Sequence, residues 1–377
     1  MFGKPTVFSL RGLLIPVVPL ILLTTAPLAQ PAETPARSPA LQKIIEGAKK
    51  EGALKVQWLA GRLDGEAGLR PMVAAMNKMY GTNVKLQYTP GPNFPTMLNK
   101  ITQEKAAGVA SSTDINLMTS NHVSEGTKNG VLRKMDWGSI LEQPSPPDAK
   151  INRVAPEGTA VMIASRIVGI PYNTNLVKGD DIPASMEDVF KPKWKGKIAS
   201  TPFATGLYQF AAKDMLGYEY MKNYTQRLAK QIGGLTDCSN IDRISSGEFT
   251  MMVFDCGHDD TLRYQKRGAP VAHATIKEIA RINILYMGVP VHAQHPNAAT
   301  LFINFMNTRE GQALQWEHAR HDLHIYPEAQ TRKPVQRIID ARGKLAIETV
   351  ERELALGHEE VNRLREEFVK ILKEGGR

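Results

Sequence analysis

Residues 290–312, PVHAQHPNAATLFINFMNTREGQ, decide the fold together with the apolar run that precedes them. That run, INILYMGVP at 282–290, is almost continuously apolar and predicts a buried strand. Pro296 fits the first turn of a helix, where its missing N–H would have no partner in any case. Apolar residues then recur at helical spacing, at Ala298, Leu301, Phe302, Phe305 and Met306. We therefore predict a strand and a helix, with Asn307 and Glu310 capping a second helix.

A second extended run, 161–171, lies more than a hundred residues earlier. It continues through SRIVGIPYNTNLV (165–177), where the turn residues Pro171, Asn173 and Asn175 end it. Two buried extended runs so far apart, with βα units on either side, predict a chain that crosses between two lobes and returns.

Alternating strand and helix patterns surround these crossings. Strands at 54–60, 84–88 and 114–118, with helical stripes between them, predict a β-α-β-α-β unit with a parallel sheet. A second α/β series is predicted from Lys197 to Lys266. We expect the tail at 334–377 to be helical and to pack on a lobe through Val361, Leu364, Phe368, Ile371 and Leu372. A partner-binding helix is the alternative.

The N-terminus has the pattern of a secretory signal peptide. Lys4 and Arg11 flank the start of an apolar run at 13–23, and small residues follow it. We predict a signal peptide at 1–29 with cleavage after Ala29, and Ala26 and Ala32 as alternatives. An uncleaved membrane anchor is the other interpretation.

The charge composition argues against a nucleic-acid ligand. Removal of residues 1–29 lowers the formal net charge from +9 to +7, because Lys4 and Arg11 are lost. The charges are scattered, without a basic run interleaved with aromatic residues, so nucleic acid is a poor candidate ligand. The modest positive charge is compatible with an anionic ligand.

Six segments give the chain a family resemblance. They are KIIEGAKKEGALKV (43–56), GIPYNTNLV (169–177), PKWKGKIA (192–199), SSGEFTMMV (245–253), GAPV (268–271) and HPNAATLFINFMNTREGQ (295–312). In this order they resemble the periplasmic solute-binding proteins of ABC importers, in the group named after the ferric-iron binders (extracellular solute-binding family 1 and its relatives).

The resemblance implies an α/β fold of the two-lobed type II periplasmic binding proteins, or Venus flytrap, with two crossing hinge strands and a C-terminal helical tail. Its expected parts are lobe 1 at 40–160, lobe 2 at 161–285, a lobe 1 return at 286–330 and the tail at 331–377. The implied function is to capture a small polar or anionic solute between the lobes and deliver it to an inner-membrane ABC permease. We expect a periplasmic monomer without cofactor or catalysis.

Ligand contacts are expected in the turns after the predicted strands. These turns face the cleft, and the helices they begin have free N–H groups. A turn or cap role without ligand is the alternative for each residue. The candidates are Arg62, Ser120, Asn121, Thr205, Gly206, Ser239, Asn240, Asp255 and His258. Arg62 is the most informative, because a guanidinium can bind a carboxylate or phosphate through two hydrogen bonds.

The ferric binders of this family carry adjacent tyrosines shortly after the strand that reads FTMMVFDCGHDD (249–260) here. This chain has Cys256, Gly257 and His258 instead. The departure argues against free ferric iron, and the alternative is ferric or chelated-iron binding without the tyrosine pair.

Cys238 and Cys256 are the only cysteines. Each follows a predicted strand, so we expect both at one sheet edge and predict a disulfide, as an exported protein allows. Free thiols, or a metal site with Asp255 and His258, are the alternatives.

The histidines His292 and His295, and His318, His321 and His324, suggest a metal, but without an acidic or cysteine partner at fixed spacing we predict no metal site. Rival functions are a ligand-sensing subunit and a secreted hydrolase using Cys256 and His258.

Overall fold

The computed structural model describes residues 37–59 and 61–375, together with Met1 and Gly3. Apart from Met1 and Gly3, the predicted signal peptide lies outside the described residues, as do its three candidate cleavage positions and Ala60. None of the described helices has the length and apolar character that a membrane crossing needs.

The first α/β series begins with a capped helix. Its elements are α1 (Pro39–Glu51), β1 (Ala53–Trp58), α2 (Gly65–Tyr80), β2 (Lys85–Pro90), α3 (Phe94–Ala106), β3 (Asn116–Met118), α4 (Ser120–Lys128) and α5 (Trp137–Ile140). The Leu41 N–H donates to the Ser38 hydroxyl at 3.0 Å, so α1 begins where the sequence supplies a cap. Gly52 ends α1 in the left-handed region, at φ 65°.

Strand pairing in this series differs from a simple parallel sheet. β1 and β2 are parallel, with Ala53 opposite Lys85. The residues just before β3 are linked to β1 by an isolated parallel bridge between Val56 and Ile115 and by the Asp114 N–H, which donates to the Lys55 carbonyl at 2.7 Å. The prediction of three consecutive parallel strands is thus correct for β1 and β2, whereas β3 pairs elsewhere.

The first crossing leads into the second α/β series. Its elements are β4 (Val161–Val168), β5 (Ile170–Asn173), β6 (Ile198–Ser200), α6 (Leu207–Phe210), α7 (Tyr218–Gln231), β7 (Gly234–Leu235), α8 (Asp242–Ser245), β8 (Met251–Val253), α9 (His258–Lys266) and β9 (Val271–Ala274). The sheet has the order β7-β6-β8-β5-β9, with β6 parallel to β7 and β8 and with β5 antiparallel to β8 and β9.

The chain then returns along a long buried strand. The remaining elements are β10 (Ile279–Gly288), α10 (Pro296–Met306), α11 (Arg309–Ala319), α12 (Arg332–Asp340), β11 (Lys344–Glu348), α13 (Val350–Leu356) and α14 (His358–Gly375). β10 pairs antiparallel with β4 and β3, and every residue of β4 and β10 is buried. The two apolar runs of the sequence are therefore the crossing strands.

Two local expectations need correction. Thr308, not Asn307, caps α11, since its hydroxyl accepts from the Gly311 N–H at 3.1 Å while the Asn307 amide bonds back to Ile303. The tail is not wholly helical, because β11 joins the crossing sheet parallel to β10. Short 3₁₀ turns connect the described elements at Arg62–Asp64, Pro156–Gly158, Gly179–Asp181, Met186–Phe190 and Pro192–Trp194.

Separate apolar cores define the lobes. The first core joins α1, α2, α10 and β1, and we call the elements around it lobe 1. The second core joins α6, α7, β6 and β8, and we call those around it lobe 2. Leu285 and Met287 of β10 enter the first core, whereas Ile284 and Tyr286 enter a third core behind the crossing strands. The alternation follows from the two-residue period of a strand.

Candidate functional site

A cleft of about 580 Å³ lies where turns of both lobes meet the crossing strands. Of the residues predicted from the sequence, Arg62 and Asn121 line it from lobe 1 and Thr205 and Ser239 line it from lobe 2. Both cysteines also line it. Four of the nine candidate contacts therefore lie together at one cavity.

Arg62 sits on a strained turn at the edge of the cleft. The next two residues, Leu63 and Asp64, have φ of 52° and 58°, a conformation that non-glycine residues rarely adopt. The turn places the guanidinium over the Phe94 ring, 5.8 Å from its centroid, with only 11% of the side chain exposed. Burial, and then the nearby Arg166 charge, lowers the pKa of Arg62. An anion beside this side chain would favour the charged guanidinium and so offset the effects of burial and of Arg166 on its pKa.

Arg62 and Arg166 share two acidic partners from lobe 2. Arg166 Nε donates to Asp259 Oδ1 at 2.6 Å, and its Nη2 donates to Asp260 Oδ2 at 3.2 Å. Arg62 Nη1 lies 3.5 Å from Asp260 Oδ2 and 3.8 Å from Asp259 Oδ2. Burial opposes ionisation of Asp259, but Arg166, His321 and Arg62 outweigh it and hold its pKa well below the usual value. Asp259 is therefore ionised, and the two acids together join the lobes through Arg62 and Arg166.

The floor of the cleft is one face of the crossing strands. Arg166 on β4 is the register partner of Asn283 on β10, and Arg281 lies two residues before Asn283. Side chains two residues apart on a strand share a face, so all three point to the same side, and all three line the cleft. Arg281 also forms a buried ion pair with Glu348 of β11.

Four buried polar atoms of cleft residues have no hydrogen-bond partner among the described residues. They are Nε of Arg62, Nε of Arg281, Oε1 of Gln209 and Oδ1 of Asn283. A buried polar group without a partner is costly, so such atoms indicate where water or a ligand binds. Two of them are guanidinium donors, which suit an anionic acceptor.

Five predicted contacts do not line the cleft. Ser120 lies in an adjoining cavity of about 290 Å³ beside Asn121. Asn240 donates weakly to Thr236 Oγ1 at 3.4 Å. Gly206 has φ 79° and is confined by the Phe210 and Phe254 side chains, so it serves the backbone turn.

Asp255 and His258 support the crossing strand from behind. Asp255 Oδ1 accepts from the Gly169 N–H at 2.9 Å, and its side chain is buried. His258 Nδ1 accepts from the Ile167 N–H at 3.0 Å and lines a different cavity, of about 250 Å³. Burial lowers the pKa of His258 to about 3, so its ring is neutral. The expectation that these two residues face the cleft is corrected.

Cys238 and Cys256 form a disulfide with a Cα–Cα distance of 5.6 Å. β7 and β8, which precede the two cysteines, are not neighbours, because β6 lies between them in the sheet. The bridge therefore links loops beyond the strand ends, not adjacent strands. It leaves no thiolate at Cys256, which removes the nucleophile that a hydrolase would need.

The histidine groups have other partners. His295 Nδ1 lies 2.8 Å from Asp114 Oδ2, and His324 Nδ1 lies 2.5 Å from the Ser165 hydroxyl. Within residues 37–59 and 61–375, no group of three or more histidine, cysteine, aspartate or glutamate side chains is arranged to hold a metal ion.

The cleft also contains residues that were not predicted as contacts. They are chiefly Phe94, Arg166, Tyr208, Gln209, Arg281, Asn283, Arg365 and Glu366. The sequence contained an indication for Arg166 and Arg281, since each is a charged residue within or directly before a mostly apolar run that was predicted as a buried strand. Arg365 had no comparable signal, because its helix carries many charges.

A family model described as bacterial extracellular solute-binding protein matches residues 71–339. No curated protein matches the chain in sequence. Several solved structures share its fold. The spermidine/putrescine ABC transporter substrate-binding protein PotD of Streptococcus pneumoniae, in complex with calcium and HEPES, has a TM-score of 0.65 and 16% identity, over 86% of this chain and 99% of that one.

Two further structures extend the comparison. An ABC transporter substrate-binding protein of Agrobacterium tumefaciens has a TM-score of 0.67 and 16% identity, over 87% of this chain and 96% of that one. Iron-bound HitA of Pseudomonas aeruginosa has a TM-score of 0.58 and 18% identity, over 86% and 99%. At these identities the likeness concerns the two-lobed fold, while the family match covers most of the chain. The chain belongs to the bacterial extracellular solute-binding protein family.

Proposed function

We propose that this protein is the periplasmic substrate-binding component of an ABC importer, and that it delivers a small anionic solute to a membrane permease as a monomer. The proposal is carried by one observation, the pair of unpartnered guanidinium Nε atoms of Arg62 and Arg281 at a cleft of about 580 Å³. The predicted signal peptide and the family support the location. The protein acts by binding, without catalysis.

The charges around the cleft favour an anion. Four arginines line it, against two acidic residues, and these six are Arg62, Arg166, Arg281, Arg365, Asp237 and Glu366. Asp259, Asp260 and Glu348, which do not line the cleft, pair with these arginines and balance much of their charge. The charged groups that face the cavity itself are nevertheless mostly guanidinium donors, two of them with an unpartnered Nε, and such donors favour an anionic acceptor.

The remaining lining favours an organic anion over an inorganic one. Leu59, Phe94, Phe203 and Val369 add apolar surface, and Gln209 and Asn283 add unpaired amide oxygens. A ligand with a carbon skeleton, acidic groups and a hydroxyl or amine donor would use all three kinds of contact.

The ligands named for the structural neighbours serve as alternatives. A polyamine would need carboxylates where this cleft has arginines, and free ferric iron would lack the tyrosine pair, which is Cys256-Gly257-His258 here. An anionic iron chelate remains compatible with the arginines. A sensor role would use the same site and differ only in the partner, which affinity capture of membrane proteins would identify.

We also propose the lobe boundaries 40–160, 161–285 and 286–330. The membership of the first two apolar cores supports these divisions, since the first core takes residues from 41–164 and 285–319, and the second takes residues from 168–279 together with the tail at 346–372.

A thermal-shift panel of carboxylates, phosphate, phosphonates, iron chelates and polyamines tests the function. A ligand that binds the native state raises the melting temperature by mass action. We expect a shift from at least one anion, and its loss in Arg62→Gln but not in Arg70→Gln, an exposed arginine on α2. Shifts from polyamines alone would refute the anionic ligand.

A further inference from the structure

The chain continues beyond the region that the family model matches. That match ends at residue 339, and β11, α13 and α14 lie wholly after it. This C-terminal segment, 344–375, nevertheless contributes Arg365, Glu366 and Val369 to the lining of the cleft. The cleft is therefore built from three parts of the chain, not from two lobes alone.

The first part of the segment holds a floor residue in place. β11 runs parallel to β10, with Asn283 opposite Glu348 and Arg281 opposite Ala346. The Glu348 carboxylate pairs with Arg281 Nη2, and both side chains are about nine-tenths buried. Glu348 thereby occupies one end of the Arg281 guanidinium and leaves Nε for another acceptor.

The segment is anchored to elements on both sides of the cleft. α13 packs against α4, whose Asn121 and His122 line the cleft. α14 packs against α6 and α7 and buries Leu364, Phe368 and Leu372 in the second core. Arg365 and Glu366 of the same helix line the cleft, whereas the Glu367 carboxylate accepts from the Tyr218 hydroxyl of α7 at 2.6 Å.

Arg365 carries the charge of the segment into the cleft. Its Nη2 donates to Asn362 Oδ1 at 2.8 Å on its own helix, and its side chain lines both the cleft and the adjoining cavity of about 290 Å³. Burial of His122 lowers the pKa of its ring to about 4, and the positive charge of Arg365 contributes to this decrease. This guanidinium therefore lies near His122 of α4, with which it shares the lining of both cavities.

We propose that the C-terminal segment is a third wall of the binding cleft and that Arg365 binds the solute directly, which selects an organic anion with two or more separated acidic groups. Arg62 of lobe 1 and Arg365 of α14 take the outer groups, above the floor arginine Arg281. This inference rests on the proposed function, because it requires an anionic ligand.

A pair of variants on one helix turn provides the test. Arg363 lies two residues before Arg365, is about half exposed, pairs with Glu360 and Glu367 and does not line the cleft. We would titrate wild type, Arg365→Gln and Arg363→Gln with acetate, succinate, glutarate, citrate and inorganic phosphate by calorimetry.

We expect wild type to bind a di- or tricarboxylate at least tenfold more tightly than acetate. We expect Arg365→Gln to weaken that binding about tenfold or more and to reduce the preference over acetate, while Arg363→Gln stays within twofold of wild type. Arg365→Lys keeps the positive charge but loses the planar guanidinium that can donate two hydrogen bonds to one carboxylate, so its affinity should be intermediate. This variant replaces Arg365→Gln in the test if the glutamine variant is unstable.

The outcomes separate the two proposals. Equal affinities of wild type, Arg365→Gln and Arg365→Lys for a bound carboxylate would overturn the third wall and leave the anion-binding function intact. A wild type that binds none of the five probes, but binds a cation, would overturn both.

Discussion

Arg166 on β4 and Asn283 on β10 are opposite each other in the antiparallel pair that connects the two lobes. Arg166 is fully buried and reaches Asp259 of lobe 2, whereas Asn283 has an unpaired amide oxygen at the cleft. The polar floor of the site is thus part of the same strands that join the lobes. We expect ligand binding to affect lobe closure directly, since hinge motion in such proteins bends these connections.

Removal of Arg166 should destabilise the protein strongly. Arg166→Met leaves Asp259 and Asp260 buried with fewer cations, and breaking a buried ion pair costs about 3–5 kcal/mol. Arg62 and Arg263 remain near these acids, so the lower end of that range is expected. Urea unfolding measures the change, and Arg70→Met is the exposed control. A loss no greater than that of the control would contradict the importance of this network.

Stability should fall as the pH drops from about 6.5 to 4. Burial, followed by the Arg332 charge, lowers the pKa of His324 to about 4, below the 6.5 of an unfolded histidine. In that interval the unfolded state binds a proton that the folded state does not, so acid favours unfolding, by roughly 3 kcal/mol in full. His258, with its pKa near 3, adds in the same direction.

Unfolding free energies at pH 7.5 and 5 test this prediction. His324→Gln should lose part of the difference between the two pH values, because it removes one titrating group. His318→Gln, on the partly exposed side of α11, should keep the wild-type difference. An unchanged pH dependence in His324→Gln would show that His324 is not the source.

Reduction of the disulfide should lower stability by about 3 kcal/mol, as for a closed loop of comparable length. Thermal unfolding with and without a thiol reductant measures the effect, and the double variant Cys238→Ala/Cys256→Ala should not respond to the reductant. Thiol titration of the denatured, unreduced protein should find no free thiol. Two titratable thiols would contradict the bridge.

The tail should be part of the cooperative fold. Phe368 is fully buried in the second core and lies edge-on to the Tyr218 ring, with centroids 6.5 Å apart. Phe368→Ala should cost about 3–5 kcal/mol in unfolding free energy, as for other buried aromatic truncations. Leu354→Ala, which removes an exposed side chain of α13, is the control. Equal stability of the two variants would mean that the tail unfolds independently.

Local patterns predicted most elements of the fold. The apolar runs at 161–171 and 282–290 correspond to β4, β5 and β10, and the helical stripe after Pro296 corresponds to α10. The spacing of apolar residues indicates which side of a helix or strand is buried, so these elements can be predicted without knowing what they pack against. The cap of α11 was misplaced by one residue, because Asn307 and Thr308 both have suitable side chains.

Long-range pairing was less predictable. The strand predicted at 114–118 was expected to join a parallel sheet. Ile115 does form an isolated parallel bridge to Val56, but β3 itself pairs antiparallel with β10. β11 was expected to be helical, yet it completes the crossing sheet. A short segment takes its conformation from the edge that it pairs with, and that edge lies far away in the sequence.

The sequence by itself determined the α/β class, the two crossings, the family resemblance and the turns that carry Arg62, Asn121, Thr205 and Ser239. Only the tertiary structure decided that Arg166 and Arg281, more than a hundred residues apart, share one face with Asn283, and that Arg365 completes the cleft. The physical reason is that helix and strand formation depend on local spacing, whereas a binding site depends on which buried surfaces pair. That pairing leaves Nε of Arg62 and Arg281 without partners at the cleft.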